Sequence, residues 1–388
     1  MKKNLVITVF ITICCLILSC TDSDSPNGSG NQEPPATLWT QYYGSPQSGY
    51  GEEVLQTDDG VFLLLGSNQI SEGYETWLLK TDQNGDSLWK HTFDLGSSAH
   101  GFSIQPTLDD GYVITGQYDL YGNWSDIFLL KTDGFGNELW HQVYAEGDSA
   151  GTQGTDILVT PDGGYLIAAT YHYSPYNVEH IFATWLLKTD SDGDSMWCQV
   201  FEDRLAQSIL QASDGNYVVA GYSVPDVSDF WLMKTDPEGE LVWSQTYHFE
   251  ESNYAYCVEE TQDGGYIVSG WCGDFPPEAD YCLLKTDTDG NEMWHRTFSE
   301  LDVNIGICAR PTSDGGIIFS GHTGTSFYGG DYDIMVIKTN AWGFEQWRKI
   351  LDLDVNNATG SILETVDGGY IISGLAGNMA MLVRLEGE

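Results

Sequence analysis

An Asp-Gly pair flanked by apolar segments recurs seven times along this chain of 388 residues. The steps between the seven aspartates are 51, 52, 52, 49, 51 and 53 residues, and periods of this length are typical of propellers and solenoids. Each unit of such a fold needs its neighbours to bury its faces, so we predict one closed repeat domain. Features repeated in every unit should be structural, and functional residues are sought where the units differ. The pairs are Asp59-Gly60, Asp110-Gly111, Asp162-Gly163, Asp214-Gly215, Asp263-Gly264, Asp314-Gly315 and Asp367-Gly368.

The unit at residues 253–298 shows what each repeat contains. Residues 254–261, 266–271, 281–286 and 293–298 are rich in strand-forming residues. Tight turns containing Asp-Gly separate the first segment from the second and the third from the fourth. Four antiparallel strands in each repeat predict the blade of a β-propeller.

The two chain ends carry incomplete units that complement each other. Six units have a full hairpin of third and fourth strands, whereas seven have the Asp-Gly hairpin. Residues 381–385 match a third strand, and residues 38–43 match a fourth strand. The N-terminal strand is therefore predicted to complete the last blade, which removes the open sheet edges. The expected fold is all-β, a seven-bladed β-propeller with four antiparallel strands per blade over residues 38–388.

Several conspicuous residues recur at fixed positions and are predicted to be structural. Each fourth strand carries a Trp, from Trp39 to Trp347, that should wedge between adjacent sheets. Each third strand carries a basic residue that should lay its stem on the sheet and pair with an acid of a neighbouring turn. The Asp of each Lys-Thr-Asp should accept hydrogen bonds from turn amides. The basic residues are Lys80, Lys131, Lys188, Lys234, Lys285, Lys338 and Arg384.

The first twenty residues predict export. Lys2 and Lys3 precede a 14-residue apolar run over residues 5–18, which is short for a membrane span and typical of a signal peptide at residues 1–19. The run ends in Leu-Ser-Cys and resembles the bacterial lipobox, which implies that Cys20 carries lipid chains such as palmitate. An ordinary secretory cleavage site is the alternative.

Residues 20–37 are polar and predict a flexible tether. Their acidic start resembles the signals that send some Bacteroidetes-type lipoproteins to the cell surface, although acidic tethers also occur without that meaning. The expected location is the bacterial outer membrane, with a lipid anchor, on its surface or its periplasmic face.

The charge of the chain excludes one class of partner. Fifteen Lys and Arg against 57 Asp and Glu give a formal charge of -42, which repels nucleic acid. The acidic segments 190–194 and 287–290 look like calcium loops but lack the full ligand set, so we expect no cofactor and keep calcium as an alternative. His172 and His180 share a loop, yet nothing near them in sequence completes a metal site.

The repeated phrases Asp-Gly-Gly-Tyr-Ile and Trp-Leu-Leu-Lys-Thr-Asp-x-x-Gly-x-x-x-Trp resemble secreted bacterial propeller repeats. They are also similar to blades of the quinoprotein-like and Kelch-like propeller superfamily. The resemblance implies the fold but no single activity, because that superfamily includes enzymes, assembly scaffolds and binding proteins. No quinone site is carried over, since Cys14 and Cys15 would leave with the signal peptide.

The variable connections point to the functional surface. The loops between second and third strands, and the connections from one blade to the next, should share one face, named here the loop face. Its aromatic residues lie beside acids, a combination that suits sugar rings or protein hot spots. The alternative is that these rings pack within their own loops. The candidate ligand-binding residues are Tyr50, Tyr74, Tyr121, Trp124, His172, Tyr173, Tyr176, Phe275, Phe327, Tyr328 and Tyr332.

Cys272 and Cys282 flank one such loop and could form a disulfide in an oxidising compartment, the alternative being small buried thiols. No catalytic residue can be nominated, because carboxylate pairs abound in so acidic a chain. The function expected is a monomeric binding module for a glycan or a protein. A carbohydrate-active hydrolase or lyase, and a scaffold for outer-membrane assembly, are the alternatives.

Overall fold

The computed structural model describes residues 32–387 except 45–48, 58, 72, 121–123, 146–149, 174–180, 225–227, 274–278, 326–331 and 354. Its described residues form 28 strands and no helix, and therefore no helix that could cross a membrane. The strands group into seven antiparallel sheets of four. This confirms the predicted seven-bladed propeller.

The blades follow one another along the chain, and each uses four strands in succession. Blades one to four contain β2 Gly49–Gln56, β3 Phe62–Ile70, β4 Gly73–Thr81 and β5 Ser87–Thr92; β6 Ser98–Pro106, β7 Tyr112–Leu120, β8 Trp124–Thr132 and β9 Glu138–Tyr144; β10 Ala150–Val159, β11 Tyr165–Tyr173, β12 Ile181–Thr189 and β13 Ser195–Glu202; β14 Arg204–Gln211, β15 Tyr217–Ser223, β16 Phe230–Thr235 and β17 Leu241–Tyr247. Blades five to seven contain β18 Ser252–Glu260, β19 Tyr266–Gly273, β20 Asp280–Thr286 and β21 Glu292–Phe298; β22 Val303–Pro311, β23 Ile317–Gly324, β24 Tyr332–Thr339 and β25 Glu345–Leu351; β26 Asn357–Glu364, β27 Tyr370–Ala376, β28 Met379–Leu385 and β1 Thr37–Tyr43.

Blade seven closes the ring as predicted. Its strand order is β1-β28-β27-β26, so the N-terminal strand is its fourth strand. β1 runs antiparallel to β28, with Thr37 opposite Leu385 and Tyr43 opposite Ala380. Because the first strand of the chain pairs with the last, every blade is a complete four-stranded sheet.

Burial changes from the middle of a blade to its rim. All six residues of β16 are buried, since neighbouring sheets cover both faces of that strand. The outer strand β17 instead alternates between exposed and half-buried residues. Continuous apolar segments therefore mark the middle strands, and two-residue alternation marks the rim.

The repeated tryptophans dock six of the seven blades on the next one, as predicted. A Cβ added to Gly290 of blade five would lie 2.8 Å from Cζ3 of Trp243 in blade four. The glycine therefore leaves room for the indole ring, and its φ of +78° is one that glycine adopts without strain. The same contact joins Trp39 to Gly85, Trp89 to Gly136, Trp140 to Gly193, Trp197 to Gly239 and Trp294 to Gly343.

The repeated basic residues pair with the aspartates of the Asp-Gly turns, which also confirms the prediction. Lys338 is buried and its Nζ lies 2.8 Å from Asp314 Oδ2. The hydroxyl of Thr160 in another turn donates to Asp162, and together with Lys188 it lowers the pKa of Asp162 to about 2. The seven pairs are Lys80–Asp59, Lys131–Asp109, Lys188–Asp162, Lys234–Asp214, Lys285–Asp263, Lys338–Asp314 and Arg384–Asp367.

The second repeat corrects the register read from the sequence. Asp109, rather than Asp110, is the aspartate that pairs with Lys131. Asp110 takes the place that glycine holds in the other turns, with φ of +60°. Aspartate tolerates this left-handed conformation better than most residues. In the sequence Asp109-Asp110-Gly111, Asp109 is therefore equivalent to the aspartate of the other Asp-Gly pairs, and the repeat is shifted by one residue from the Asp110-Gly111 pair.

Candidate functional site

The first strand of every blade lies next to the propeller axis, where neighbouring first strands contact one another. These strands run from the loop face to the opposite face, which carries the Asp-Gly turns and is named the turn face. Loops between second and third strands do share the loop face with the connections between blades. The backbone N–H of Asn304, at the start of β22, donates to the carbonyl of Ala279, which precedes β20. The predicted sharing of one face is therefore correct at this position.

Four aromatic rings gather on the loop face between blades one and two. Tyr74 stacks on His100 at 4.5 Å between ring centroids, and His100 lies 4.4 Å from Phe102. Tyr50 lies 6.3 Å from Tyr74 and 6.0 Å from His100. All four side chains are half-buried, so part of each ring stays accessible. These residues, Tyr50, Tyr74, His100 and Phe102, are called the loop-face aromatic cluster.

A carboxylate stands beside this cluster. Nε2 of His100 lies 2.7 Å from Oε1 of Glu52, and the exposed fractions of the two side chains are 17 % and 22 %. Burial, followed by the nearby Tyr74 and Glu52, raises the pKa of the Tyr50 hydroxyl, which therefore stays protonated at neutral pH. The cluster thus offers ring faces together with a hydroxyl donor and a carboxylate acceptor.

A second aromatic group lies between blades four and five. Tyr254 stacks on Trp271 at 4.5 Å and lies 4.6 Å from Tyr222. The indole N–H of Trp271 donates to the Tyr256 hydroxyl at 3.4 Å. Trp271 is 5 % exposed and belongs to a small apolar core with Val303. This group is packed more tightly than the loop-face aromatic cluster and is mainly structural.

Seven side chains form a ring around the axis, one from each first strand. Each follows the β-bulge of its strand and contacts the first strand of the next blade. Examples are Glu53, whose Oε2 accepts the Ile104 N–H at 2.9 Å, and Ser361, whose Oγ accepts the Val54 N–H at 3.0 Å. The members of this axial ring are Glu53, Ser103, Asp156, Ser208, Cys257, Cys308 and Ser361.

Two acids of the axial ring, Glu53 and Asp156, have raised pKa values. Burial and the repulsion of Asp156 raise the pKa of Glu53 to about 7, against the lowering effect of Arg310. Burial raises the pKa of Asp156 as well, although the Ser103 hydroxyl donates to it at 2.7 Å. Arg310 also contacts Glu259. Arg310 therefore lies between the carboxyl groups of Glu53 and Glu259.

An acidic cavity of about 370 Å³ opens on the loop face near blade five. Glu250, Asp280 and Asp302 contribute its carboxylates, and Thr297 and Ser299 contribute hydroxyl groups. Across the described parts of the chain, no cluster of three or more His, Cys, Asp or Glu side chains could hold a metal ion.

The predicted site residues have separate positions in the structure. Tyr50 and Tyr74 come together in the loop-face aromatic cluster. His172 stacks on Phe182 at 4.6 Å, and Tyr332 packs edge-on against His322 at 5.2 Å. Trp124 begins β8 and Tyr173 ends β11. Tyr121, Tyr176, Phe275, Phe327 and Tyr328 lie outside the described residues, as do Cys20 and His180.

Cys272 and Cys282 lie on the neighbouring strands β19 and β20 as buried free cysteines. The disulfide between them stays a prediction. Burial holds the pKa of the Cys282 thiol well above its usual value.

Sequence reasoning missed His100, Phe102 and Glu52 because it searched the loops and treated the first strands as structural. The sequence does contain a signal for two of them, because functional residues are sought where the repeats differ. The bulged position of the first strand differs in every blade and holds Glu52, Phe102, Thr155, Gln207, Tyr256, Ile307 and Gly360.

No protein-family model and no curated protein matches this sequence. Solved structures do resemble the fold. Sqt1 from Chaetomium thermophilum is 12 % identical with a TM-score of 0.51, covering 88 % of this chain and 82 % of that one. Puromycin hydrolase is 13 % identical with a TM-score of 0.52, covering 87 % of this chain and 52 % of its own length. This chain therefore spans about half of the hydrolase. At such low identity the likeness shows a propeller fold and nothing about activity.

Proposed function

We propose that this protein is a lipid-anchored lipoprotein of the bacterial outer membrane whose propeller binds a glycan or a protein at its loop face. The loop-face aromatic cluster is the observation that carries the binding role. Its rings are partly accessible, and Glu52 lies beside them. Aromatic faces with an adjacent carboxylate suit the apolar face and hydroxyl groups of a sugar, and they equally suit an aromatic or basic side chain of a protein.

The charge of the chain supports a binding role at a cell surface. A formal charge of -42 keeps the domain soluble and away from nucleic acid. The apolar run before Cys20 supplies the anchor in this proposal, and the protein acts as a monomer.

Glycan-array screening of the protein, with release of reducing sugar measured in parallel, tests the binding role. Binding without turnover supports the proposal, and turnover replaces it with the enzyme alternative. Silence in both assays leaves a protein partner, which cross-linking on intact cells would capture.

The variant Tyr74→Ser removes the ring that stacks on His100 and should weaken binding at least about tenfold. Trp342→Ser is the matched control, because Trp342 is exposed on the turn face. Equal losses in the two variants would remove the aromatic cluster from the proposal.

The anchor has a separate test. Labelled palmitate should enter the wild-type protein in cells and should not enter the Cys20→Ser variant. Labelling of that variant would overturn lipidation at Cys20 without affecting the binding role.

A further inference from the structure

Two cysteines of the axial ring lie in contact across the boundary between blades five and six. Sγ of Cys257 in β18 lies 3.9 Å from Sγ of Cys308 in β22. A disulfide needs these atoms at about 2.05 Å, so the two sulfur atoms have to move closer together by about 2 Å. We propose that Cys257 and Cys308 form a disulfide that joins the innermost strands of blades five and six when the protein meets a disulfide oxidant.

The positions of the two residues favour this bond. Both follow a β-bulge, so they occupy equivalent places in adjacent blades and point toward the same boundary. The Cys257 thiol also lies 3.5 Å from the carbonyl of Ala309, the residue after Cys308. The two sulfur atoms are therefore already in contact before any bond forms.

A cation beside the pair makes one sulfur the attacking group. A hydrogen bond with Cys308 and then the Arg310 guanidinium lower the pKa of the Cys257 thiol, against its burial. Cys308 has the opposite shift, since its contact with Cys257 and its burial raise its pKa. Cys257 is thus the thiol of the pair that loses its proton more readily, and the side chain of Arg310 is 32 % exposed toward solvent.

The reaction balances with a small disulfide or a disulfide-bonded oxidoreductase as oxidant. The Cys257 thiolate attacks one sulfur of that disulfide, and the first thiol leaves as a mixed disulfide forms. The Cys308 thiolate then attacks Cys257 Sγ and displaces the second thiol. Two cysteine thiols are oxidised, one disulfide is reduced, and their two protons pass to the two released thiolates.

The test treats the reduced full-length protein with hydroxyethyl disulfide at pH 7, blocks remaining thiols, and maps peptides by mass spectrometry without reduction. A Cys257–Cys308 linked peptide is expected. A second sample is refolded from denaturant in the same oxidant, so that access to the buried pair does not limit the reaction. Cys257 and Cys308 recovered as blocked thiols from both samples, while exposed Cys198 is modified, would overturn the proposal. A Cys272–Cys282 link in place of the expected one would also overturn it.

Single variants test the order of attack. Cys308→Ala should leave Cys257 carrying the oxidant's thiol, and Cys257→Ala should leave Cys308 unmodified. Arg310→Gln should slow formation of the disulfide about tenfold at pH 7, because less of Cys257 is thiolate. Arg296→Gln on the outer strand β21 is the matched control and should leave the rate unchanged. Equal slowing by both arginine variants would overturn the role of Arg310.

The bond should also change stability. It connects residues 51 positions apart, and cross-links of that span restrict the unfolded chain strongly. Oxidation should raise the thermal midpoint of the wild type by roughly 5 °C and leave that of Cys257→Ala unchanged. A fall in the wild-type midpoint would contradict a bond that fits the folded structure.

Discussion

The turn face and the loop face are built from the same repeat. The contacts on the turn face recur in every blade, whereas contacts on the loop face differ from one blade boundary to another. On the turn face, every blade has a basic residue on its third strand and an aspartate that accepts it. On the loop face, Tyr74 contacts His100 across one blade boundary, whereas Asn253 bonds the Ser228 carbonyl across another. The turn face therefore repeats one ion pair within every blade, whereas these two blade boundaries of the loop face are joined by different contacts.

The axial ring lies between these extremes. Each of its side chains contacts the first strand of the next blade, and serine, glutamate, aspartate and cysteine can all make that contact. A position can thus be structural in every blade and still carry distinct chemistry in a few of them.

The largest loss of stability is expected where the turn face docks one blade on the next. Gly290→Ala places a Cβ 2.8 Å from the Trp243 ring at φ of +78°, which should cost about 3 kcal/mol. Gly163→Ala is the matched control, since its φ of +83° is similar but no atom lies within 4 Å of the added Cβ. It should cost about 1 kcal/mol, measured by urea unfolding. Equal losses would show that the docking contact adds nothing.

The turn-face ion pairs whose lysine side chain is buried should come next. Lys338→Met leaves Asp314 without its partner at 2.8 Å and should cost about 2 kcal/mol. Lys80→Met breaks a 3.7 Å pair whose lysine side chain is 18 % exposed, so less than about 1 kcal/mol is expected. Chemical unfolding of both variants makes the comparison. A larger loss for Lys80→Met would show that burial of the lysine does not increase the contribution of these ion pairs to stability.

The axial ring should respond to pH with a definite sign. The pKa of Glu53 is raised from 4.5 to about 7 in the folded protein, so its neutral form favours folding. That contribution is complete below about pH 4.5 and is lost as pH rises through 7. Glu53→Gln stays neutral, and it should be more stable than the wild type by about 1–2 kcal/mol at pH 8 and equal to it at pH 4.5. Unfolding curves at both values check this.

The control for that comparison is Glu251→Gln, which removes a negative charge from an exposed side chain. It should not reproduce the pH-dependent difference. A Glu53→Gln variant that is less stable than the wild type at pH 8 would show that the contact with Arg310 outweighs the cost of burying the carboxylate.

The loop face should give the smallest change in stability. Tyr74→Ser is expected to cost about 1 kcal/mol, because the ring is half-buried and mainly contacts His100. A loss as large as that of Gly290→Ala would show that the loop-face aromatic cluster is structural, and the contrast between the faces would then fail. Thermal unfolding of the two variants in parallel decides it.

Repetition made most of the fold predictable. Blade number, ring closure by β1, the Trp contacts and the ion pairs all follow from residues that recur with the period. The register of the second repeat was wrong because Asp110 adopts a conformation usually left to glycine, and local sequence does not reveal that. The site was only partly predictable. Tyr50 and Tyr74 lie at the starts of β2 and β4, beside loop connections. His100 meets them because blade two packs against blade one, which brings residues of successive repeats into contact.

The contact between Cys257 and Cys308 was likewise not predicted from the sequence. Spacing along the chain pointed to Cys272 and Cys282, which are close in sequence. The structure also places in contact Cys257 and Cys308, two residues that share a repeat position. An alignment of the seven first strands places both cysteines at the same repeat position.

The position of β1 determines on which face the chain enters the propeller. Thr37 lies opposite Leu385, at the end of β28 that reaches the turn face. Just before it, the carbonyl of Pro35 accepts Lys349 Nζ at 2.8 Å, and the Gln32 N–H donates to the Gln346 carbonyl at 3.3 Å. The polypeptide thus arrives at the rim of the turn face. The chain therefore enters the propeller on the side opposite the loop-face aromatic cluster, and its point of entry leaves that cluster uncovered.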